Sequence, residues 1–157
     1  MNKALSVTTT TLLLLLIANV FVDVVLRYAF NNSSIALQEL EWHLFSAMFL
    51  LSIAYGLQND THVRVDVFYL NFSPKTQALI NIIGSVIFIL PISLLITYYG
   101  FDFAYLAFEI GEKSGDPGGL YYRFIIKSII PLSFILVIIS GVIFAKNHYI
   151  KAFKWLA

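Results

Sequence analysis

The chain has 157 residues, of which 59% are hydrophobic and only 12% are charged, and its formal net charge is +1. Soluble domains carry about a quarter charged residues, so this composition, with a mean hydropathy of +0.83, excludes a water-soluble globule and indicates an integral membrane protein. The absence of cysteine excludes disulfides and thiolate chemistry, and the near-neutral charge gives no indication of a nucleic-acid partner.

The first predicted transmembrane span covers residues 5–27, which carry no charge before Asp23. Lys3 in front of an apolar run is also compatible with a signal peptide. No small-residue cleavage site follows, so a span that stays in the membrane is the simpler prediction. Asp23 and Arg27 are four residues apart, which pairs them on one helix face, either as an interfacial anchor or as a contact to another subunit.

The second predicted span covers residues 39–58 and begins with two carboxylates, Glu39 and Glu41. Their spacing of two places them on different sides of a helix, so they do not converge on one site. They are predicted either to face water at the helix start or, for Glu39, to meet a buried partner. Of the three histidines, His43 lies near this end and the other two lie near the opposite end, so no haem or metal site is predicted.

The loop after the second span reads "NDTHVRVDVF" and concentrates charge in an otherwise apolar chain. One interpretation is an anchor to the membrane: Arg64 binds anionic lipid headgroups while the neighbouring acids remain in water. The third predicted span follows, at residues 77–101, with a helical extension to about residue 110. A continuous helix from Gln77 to Ile110 would be about 50 Å long, so it must tilt, protrude or break, and Pro91 is the predicted kink.

Gly111 and the run "SGDPGG" end the third helix, and the fourth predicted span covers residues 122–145. Small and polar residues inside the spans fall on shared faces: Ser133 with Ser140, and Asn81 with Ser85. Such residues let transmembrane helices approach closely and hydrogen-bond, so they predict helix packing.

The distribution of lysine and arginine predicts the orientation of the four spans. The side that holds both termini and the central loop carries six of these residues, and the other side carries four. Because cytoplasmic loops are enriched in positive charge, both termini are predicted to be cytoplasmic. The fold class predicted from sequence is therefore an all-α integral membrane protein with four helices, a single domain over residues 1–157, and a long tilted or kinked third helix.

Several kinds of functional site are missing from the sequence. No carboxylate lies in the middle of any span, whereas ion-coupled transporters usually keep ionisable groups or broken helices there. No phosphate-binding loop, metal motif or nucleophile pattern occurs. These absences predict a non-enzymatic helper subunit.

Four motifs follow the order of a known family of membrane proteins. An Arg-Tyr pair, Arg27 and Tyr28, closes the first span, and Glu39 opens the second. A His-x-x-Val-Asp pattern occupies residues 62–66. A Gly-rich run, an aromatic-Arg pair and a proline come later in "GGLYYRFIIKSIIP", residues 118–131.

With these motifs, the stretch from Val24 to Leu136 resembles the small membrane subunit, the DctQ-like subunit, of tripartite ATP-independent periplasmic (TRAP) transporters. The resemblance implies a multi-pass protein of the bacterial inner membrane that braces a large TRAP membrane subunit. That large subunit carries the solute and sodium by an elevator-like movement, and a soluble periplasmic substrate-binding protein delivers an organic acid, such as sialic acid or a four-carbon dicarboxylate. The implied role is a non-catalytic scaffold without a cofactor of its own, since sodium is expected on the partner subunit.

The same resemblance, together with the charge pattern, selects candidate contact residues. The candidates for contact with the partner subunit or another interface are Asp23, Arg27, Tyr28, Glu39, His62, Arg64, Asp66 and Arg123. The candidates for docking the periplasmic protein form an acidic group beside "SGDPGGL": Glu109, Glu112 and Asp116.

The alternative function is a self-sufficient small transporter that works as a four-helix homodimer. Proteins of that kind resemble a pattern with a membrane-buried glutamate in the first helix, whereas the centre of this first helix is Leu13 to Leu16. A weaker alternative is an electron-transfer anchor that binds haem.

Overall fold

The structure is a computed structural model that describes residues 2–59 and 69–154. Within these ranges every regular element is helical. There are five α-helices, and a π-helical segment at Ser85–Ile89 joins the third to the fourth: α1 Asn2–Ala29, α2 Ile35–Gln58, α3 Pro74–Gly84, α4 Leu90–Glu109 and α5 Phe124–Lys154. Because α3, the π segment and α4 run on without a break, the described chain has four helical stretches long and apolar enough to cross a membrane. The predicted all-α membrane fold is confirmed.

Two of the helices begin at serine caps. Ser34 precedes α2, and its hydroxyl accepts a hydrogen bond from the backbone N–H of Leu37 at 3.4 Å. Ser73 precedes α3 and accepts from the N–H of Thr76 at 3.3 Å, with Pro74 in the first turn. Each serine satisfies one of the free donors that a helix start leaves, so the local sequence fixes where these two helices begin.

The third membrane-crossing stretch, Pro74–Glu109, contains 36 residues and is about 54 Å long at the usual helical rise. Its irregularity lies immediately before Pro91, where the N–H of Leu90 donates to the carbonyl of Ser85, five residues back. Pro91 has no N–H to continue the ordinary ladder, and the wider π turn takes up the disruption. At the predicted kink, Pro91, the structure has a π-helical segment, and the helix continues on both sides of it.

Gly111 ends α4. It has a φ of +58°, and its N–H donates to the carbonyl of Phe108 at 3.1 Å. The next N–H, that of Glu112, donates to the carbonyl of Ala107 at 2.9 Å. This pair of bonds is a Schellman motif, which needs a left-handed residue that glycine adopts without strain.

The helices pack as an open row. The main contacts of α1 are with α2, and α2 then packs against α5. α5 also packs against α3, the π segment and α4. Because α1 has one principal neighbour, most of its large apolar side chains are exposed, including Leu14 and Phe21. This arrangement leaves wide apolar faces to lipid or to another membrane protein.

Two glycines mark the closest helix approaches. A Cβ at Gly100 of α4 would lie 3.2 Å from Cδ of Pro131 in α5. A Cβ at Gly141 of α5 would lie 3.3 Å from Ile89 and 3.7 Å from Leu57, so α2, α5 and the π segment meet there. Small residues at both positions let the backbones come this close.

The polar residues predicted to pack helices together are buried. Ser85, Ser133 and Ser140 are fully buried, and Asn81 is nearly so. The hydroxyl of Ser140 donates to the carbonyl of Leu136 at 2.7 Å and accepts from Nε2 of Gln58 in α2 at 2.8 Å. The helix-packing prediction for these faces is confirmed, and the Gln58–Ser140 bond ties α2 to α5.

Candidate functional site

The first candidate site is a polar cluster at the end of the row where α2 begins, α4 ends and α5 begins. We call it the Glu39 cluster; its members are Glu39, Glu112, Ser114, Arg123 and Lys127. Glu39 is the fifth residue of α2, which begins at Ile35, and its carboxylate points across to the α4–α5 loop, residues 110–123. There Ser114 Oγ donates to Glu39 Oε1, and the backbone N–H of Leu120 donates to Glu39 Oε2 at 2.6 Å.

The α4–α5 loop is folded closely around this carboxylate. The N–H of Ser114 donates to the carbonyl of Leu120 at 3.0 Å, and the N–H of Asp116 donates to Ser114 Oγ at 3.1 Å. A Cβ at Gly119 would lie 2.9 Å from Glu39 Oε2 and would overlap the side chain of Ser114. A residue larger than glycine at position 119 would therefore displace the loop from Glu39.

A second ion pair closes the other side of the same loop. Lys127 Nζ, in the first turn of α5, pairs with Glu112 Oε2 and lies 3.9 Å from the centroid of the Phe103 ring of α4. The backbone N–H of Arg123 donates to the carbonyl of Glu112 at 3.1 Å. A cation held between a carboxylate and an aromatic face is stabilised by both, so Lys127 fixes the end of α4 against the start of α5.

The second candidate site is the Asp23–Arg27 pair of α1, which the four-residue spacing predicted. Arg27 Nη2 pairs with Asp23 Oδ2, the side chain of Asp23 is 3% exposed and that of Arg27 is 40% exposed. Asp23 Oδ1 and Arg27 Nε are buried without a hydrogen-bond partner among the described residues. Nearby, Nδ2 of Asn19 donates to the carbonyl of Leu37 at 2.9 Å and joins α1 to α2.

The remaining predicted site residues have diverse surroundings. Tyr28 is 78% exposed, and Glu109 and Asp116 are exposed as well. Glu112 is half-buried and paired with Lys127, so its charge is directed into the chain. His62, Arg64 and Asp66 lie outside the described residues, and their contact role stays a prediction.

The structure thus brings together Glu39, Glu112 and Arg123 from the predicted set, and it leaves the Asp23–Arg27 pair as a separate site on α1. The sequence did not indicate that Ser114 and Leu120 donate to Glu39, nor that Gly119 leaves space for its carboxylate. The role of Lys127 was not predicted either. Two features of the sequence could have indicated this contact: Glu39 near the start of α2, and the Gly-rich loop at residues 114–119. Backbone N–H groups and a serine in such a loop can converge on a carboxylate.

We expect Glu39→Gln to loosen the α4–α5 loop. The amide keeps one carbonyl oxygen, so Ser114 and Leu120 can no longer each donate to a separate charged oxygen. Backbone hydrogen exchange at Leu120 should rise several-fold, since that N–H is itself one of the donors. The matched control is Glu41→Gln, which removes a charge two residues away. Equal exchange at Leu120 in the two variants would contradict the assigned role of Glu39.

The chain is similar in sequence to known membrane transport components. Residues 16–148 match the sequence model of the family described as "Tripartite ATP-independent periplasmic transporters, DctQ component". The chain is also 29% identical over 152 residues to a Haemophilus influenzae protein named, as a provisional assignment, a TRAP transporter small permease protein. That alignment covers 96% of this chain and 94% of the relative.

Proposed function

The chain belongs to the DctQ component family of tripartite ATP-independent periplasmic transporters, and from this membership we propose that it is a scaffold subunit that does not itself carry solute. The family is one of transport components and not of enzymes, and the four apolar helical stretches fit a multi-pass protein of the inner membrane. The proposed scaffold braces a larger membrane subunit in which the solute moves.

One observation carries this proposal: the middle of each span lacks an ionisable side chain. Residues 4–22, 44–58, 76–101 and 128–145 contain no aspartate, glutamate, histidine, lysine or arginine. Transporters coupled to ions usually place such groups, or broken helices, at the middle of the bilayer. The helix runs on through the π segment of the third stretch, where the N–H of Leu90 donates to the carbonyl of Ser85, so this stretch is not divided into two half-helices.

Most polar side chains within the spans bond to the chain itself; Ser85 Oγ is buried without a partner among the described residues. Ser133 Oγ donates to the carbonyl of Ile130 at 2.8 Å, and Thr97 Oγ1 donates to that of Ser93 at 2.7 Å. Ser140 Oγ donates to the carbonyl of Leu136 at 2.7 Å. A solute would have to break these bonds to gain a ligand. They support a packing function better than a binding function.

The open row supports bracing. Because α1 has one principal neighbour, it leaves a long apolar face that a second membrane protein can cover, whereas a closed bundle would bury that face on itself. We propose that both termini are cytoplasmic, which places the Glu39 cluster on the periplasmic side. Tyr28 and Arg27, near that side of α1, would then contact the large subunit, and Glu109 and Asp116 would be available to the periplasmic binding protein.

The proposed solute is an organic acid, of the sialic acid or four-carbon dicarboxylate type, and the coupling sodium ions would bind to the large subunit. The support for this finer assignment is the resemblance in sequence to the small subunits of such importers. No residue of this chain is proposed to contact the solute or the sodium.

The test is purification of the tagged chain from its native membrane in mild detergent. We expect a much larger multi-span protein to co-purify in equal amount. Liposomes that contain this chain alone should show no uptake of labelled organic acid with a sodium gradient, and addition of the partner and the periplasmic protein should restore uptake. Uptake by the chain alone would instead favour the self-sufficient homodimeric transporter.

A further inference from the structure

A cleft between α2 and α5 runs from the Glu39 cluster towards the middle of the span. Its mouth is a cavity of about 400 Å³, whose lining includes Gln38, His43, Asp116 and Arg123. A second cavity, of about 340 Å³, continues below it and is lined mostly by apolar side chains: Phe45, Phe49, Leu50, Ile126 and Ile130. Ser46, Ile126 and Lys127 line both cavities, so the two are adjacent.

The charges at the mouth divide into those already paired and those still available. Both oxygens of Glu39 accept hydrogen bonds from the α4–α5 loop, and Lys127 is paired with Glu112. The guanidinium of Arg123 makes no hydrogen bond or ion pair with any residue in the described ranges 2–59 and 69–154. Arg123 acts on Glu39 and His43 only through electrostatics, so its guanidinium donors are available at the mouth, and the carboxylate of Asp116 is an available anion on the same cavity.

We propose that this cleft binds one membrane phospholipid with an ethanolamine headgroup. The guanidinium of Arg123 binds the phosphate, for which its planar set of donors is well suited. Asp116 accepts from the headgroup ammonium, and one acyl chain lies in the apolar cavity between Phe49 and Ile130. The apolar cavity runs along α2 from Phe45 to Leu50, about 8 Å, so it holds the first part of one acyl chain, and the rest of that chain extends into the bilayer.

The charges favour a lipid over a helix of another protein, because the mouth offers one cation and one anion beside an apolar cavity. A lipid also matches both parts of the cleft at once, since it carries a charged end and a narrow apolar end. This inference does not depend on the proposed scaffold function, because it concerns only lipid and this chain.

The experiment is lipid titration of the purified full chain in detergent, followed by native mass spectrometry. Phosphatidylethanolamine should bind with one saturable site, and Arg123→Gln should weaken binding about tenfold or more, as expected for loss of a charge-assisted hydrogen bond. The control is Lys113→Gln, which removes the same charge from an exposed position on the same loop. If both variants weaken lipid binding equally, the effect comes from the overall positive charge of the loop, and the proposed site at Arg123 is contradicted.

The proposed position of the acyl chain is tested with a second variant and its control. Ile126→Trp places an indole in both cavities, whereas Ile125→Trp places it on a neighbouring side chain that is 59% exposed. Only the first should reduce lipid binding, and both should unfold at similar temperatures.

Two further ligands test the headgroup and the lipid nature of the site. Phosphatidylglycerol should bind more weakly than phosphatidylethanolamine, because it lacks the ammonium group that donates a hydrogen bond to Asp116. Inorganic phosphate alone should not compete, because it lacks the acyl chain. Competition by free phosphate, equal binding of the two lipids, or a partner helix that protects Ile126 while no lipid is retained would each contradict the proposal.

Discussion

Gly100→Leu is expected to lower the free energy of unfolding of this chain by about 1–3 kcal/mol, the usual cost of overpacking a close-packed contact. The Cβ of any residue at position 100 would lie 3.2 Å from Cδ and 3.4 Å from Cβ and N of Pro131. Pro131 is fully buried in α5, and its ring cannot rotate away. The added side chain must therefore push α4 away from α5 along their contact.

The matched control is Gly84→Leu at the end of α3. A Cβ there meets nothing within 4 Å, so the leucine has space. Since leucine has a better helix propensity than glycine, this variant should be unchanged or slightly more stable. Both variants are measured by reversible unfolding in mixed micelles with a denaturing detergent. A similar loss of stability in the two would show that the Gly100–Pro131 contact is not close.

Asp23→Ala is the second change with a large expected effect, a loss of about 1–3 kcal/mol in the free energy of unfolding. Exposed ion pairs contribute about 0–1 kcal/mol, whereas removal of one partner from a buried pair costs about 3–5 kcal/mol. This pair is intermediate, because the side chain of Asp23 is 3% exposed and that of Arg27 is 40% exposed. The variant leaves Arg27 as an uncompensated cation beside apolar surface.

The double variant Asp23→Ala, Arg27→Leu should recover most of that loss, because it removes both charges together. The control is Asp102→Ala, which removes an exposed carboxylate of α4 and should change the stability little. Stability is again read from unfolding in mixed micelles, and co-purification of the large subunit is measured on the same samples. A double variant that is stable but loses the partner would assign Asp23 and Arg27 to the subunit interface.

These two sites lie at different parts of one architecture. The Gly100–Pro131 contact holds α4 to α5 inside the row, and the Asp23–Arg27 pair lies on α1, the helix with one principal neighbour. Disruption of the first should affect the folding of this chain whether or not a partner is present. Disruption of the second should also affect assembly if α1 forms part of the surface that a partner covers.

The amino-acid sequence by itself determined that this is an integral membrane protein, how many spans it has and where several of its helices end. Uncharged stretches of about 20 residues allow few structures other than a transmembrane helix, because a backbone in lipid must satisfy its own hydrogen bonds. The end of α4 at Gly111 and the irregularity at Pro91 were also predictable, because each depends on the backbone chemistry of one residue. The four-residue spacing of Asp23 and Arg27 likewise predicted their pairing.

Only the tertiary structure decided which distant residues meet. Glu39 and Leu120 are 81 positions apart in the chain, and Gln58 and Ser140 are 82 apart. No local propensity encodes either bond, because each depends on how α2 packs against α5 and where the α4–α5 loop returns. The open order of the row is decided in the same way. Apolar helix faces that meet lipid and apolar faces that meet protein have similar compositions, so periodicity in one sequence does not distinguish them.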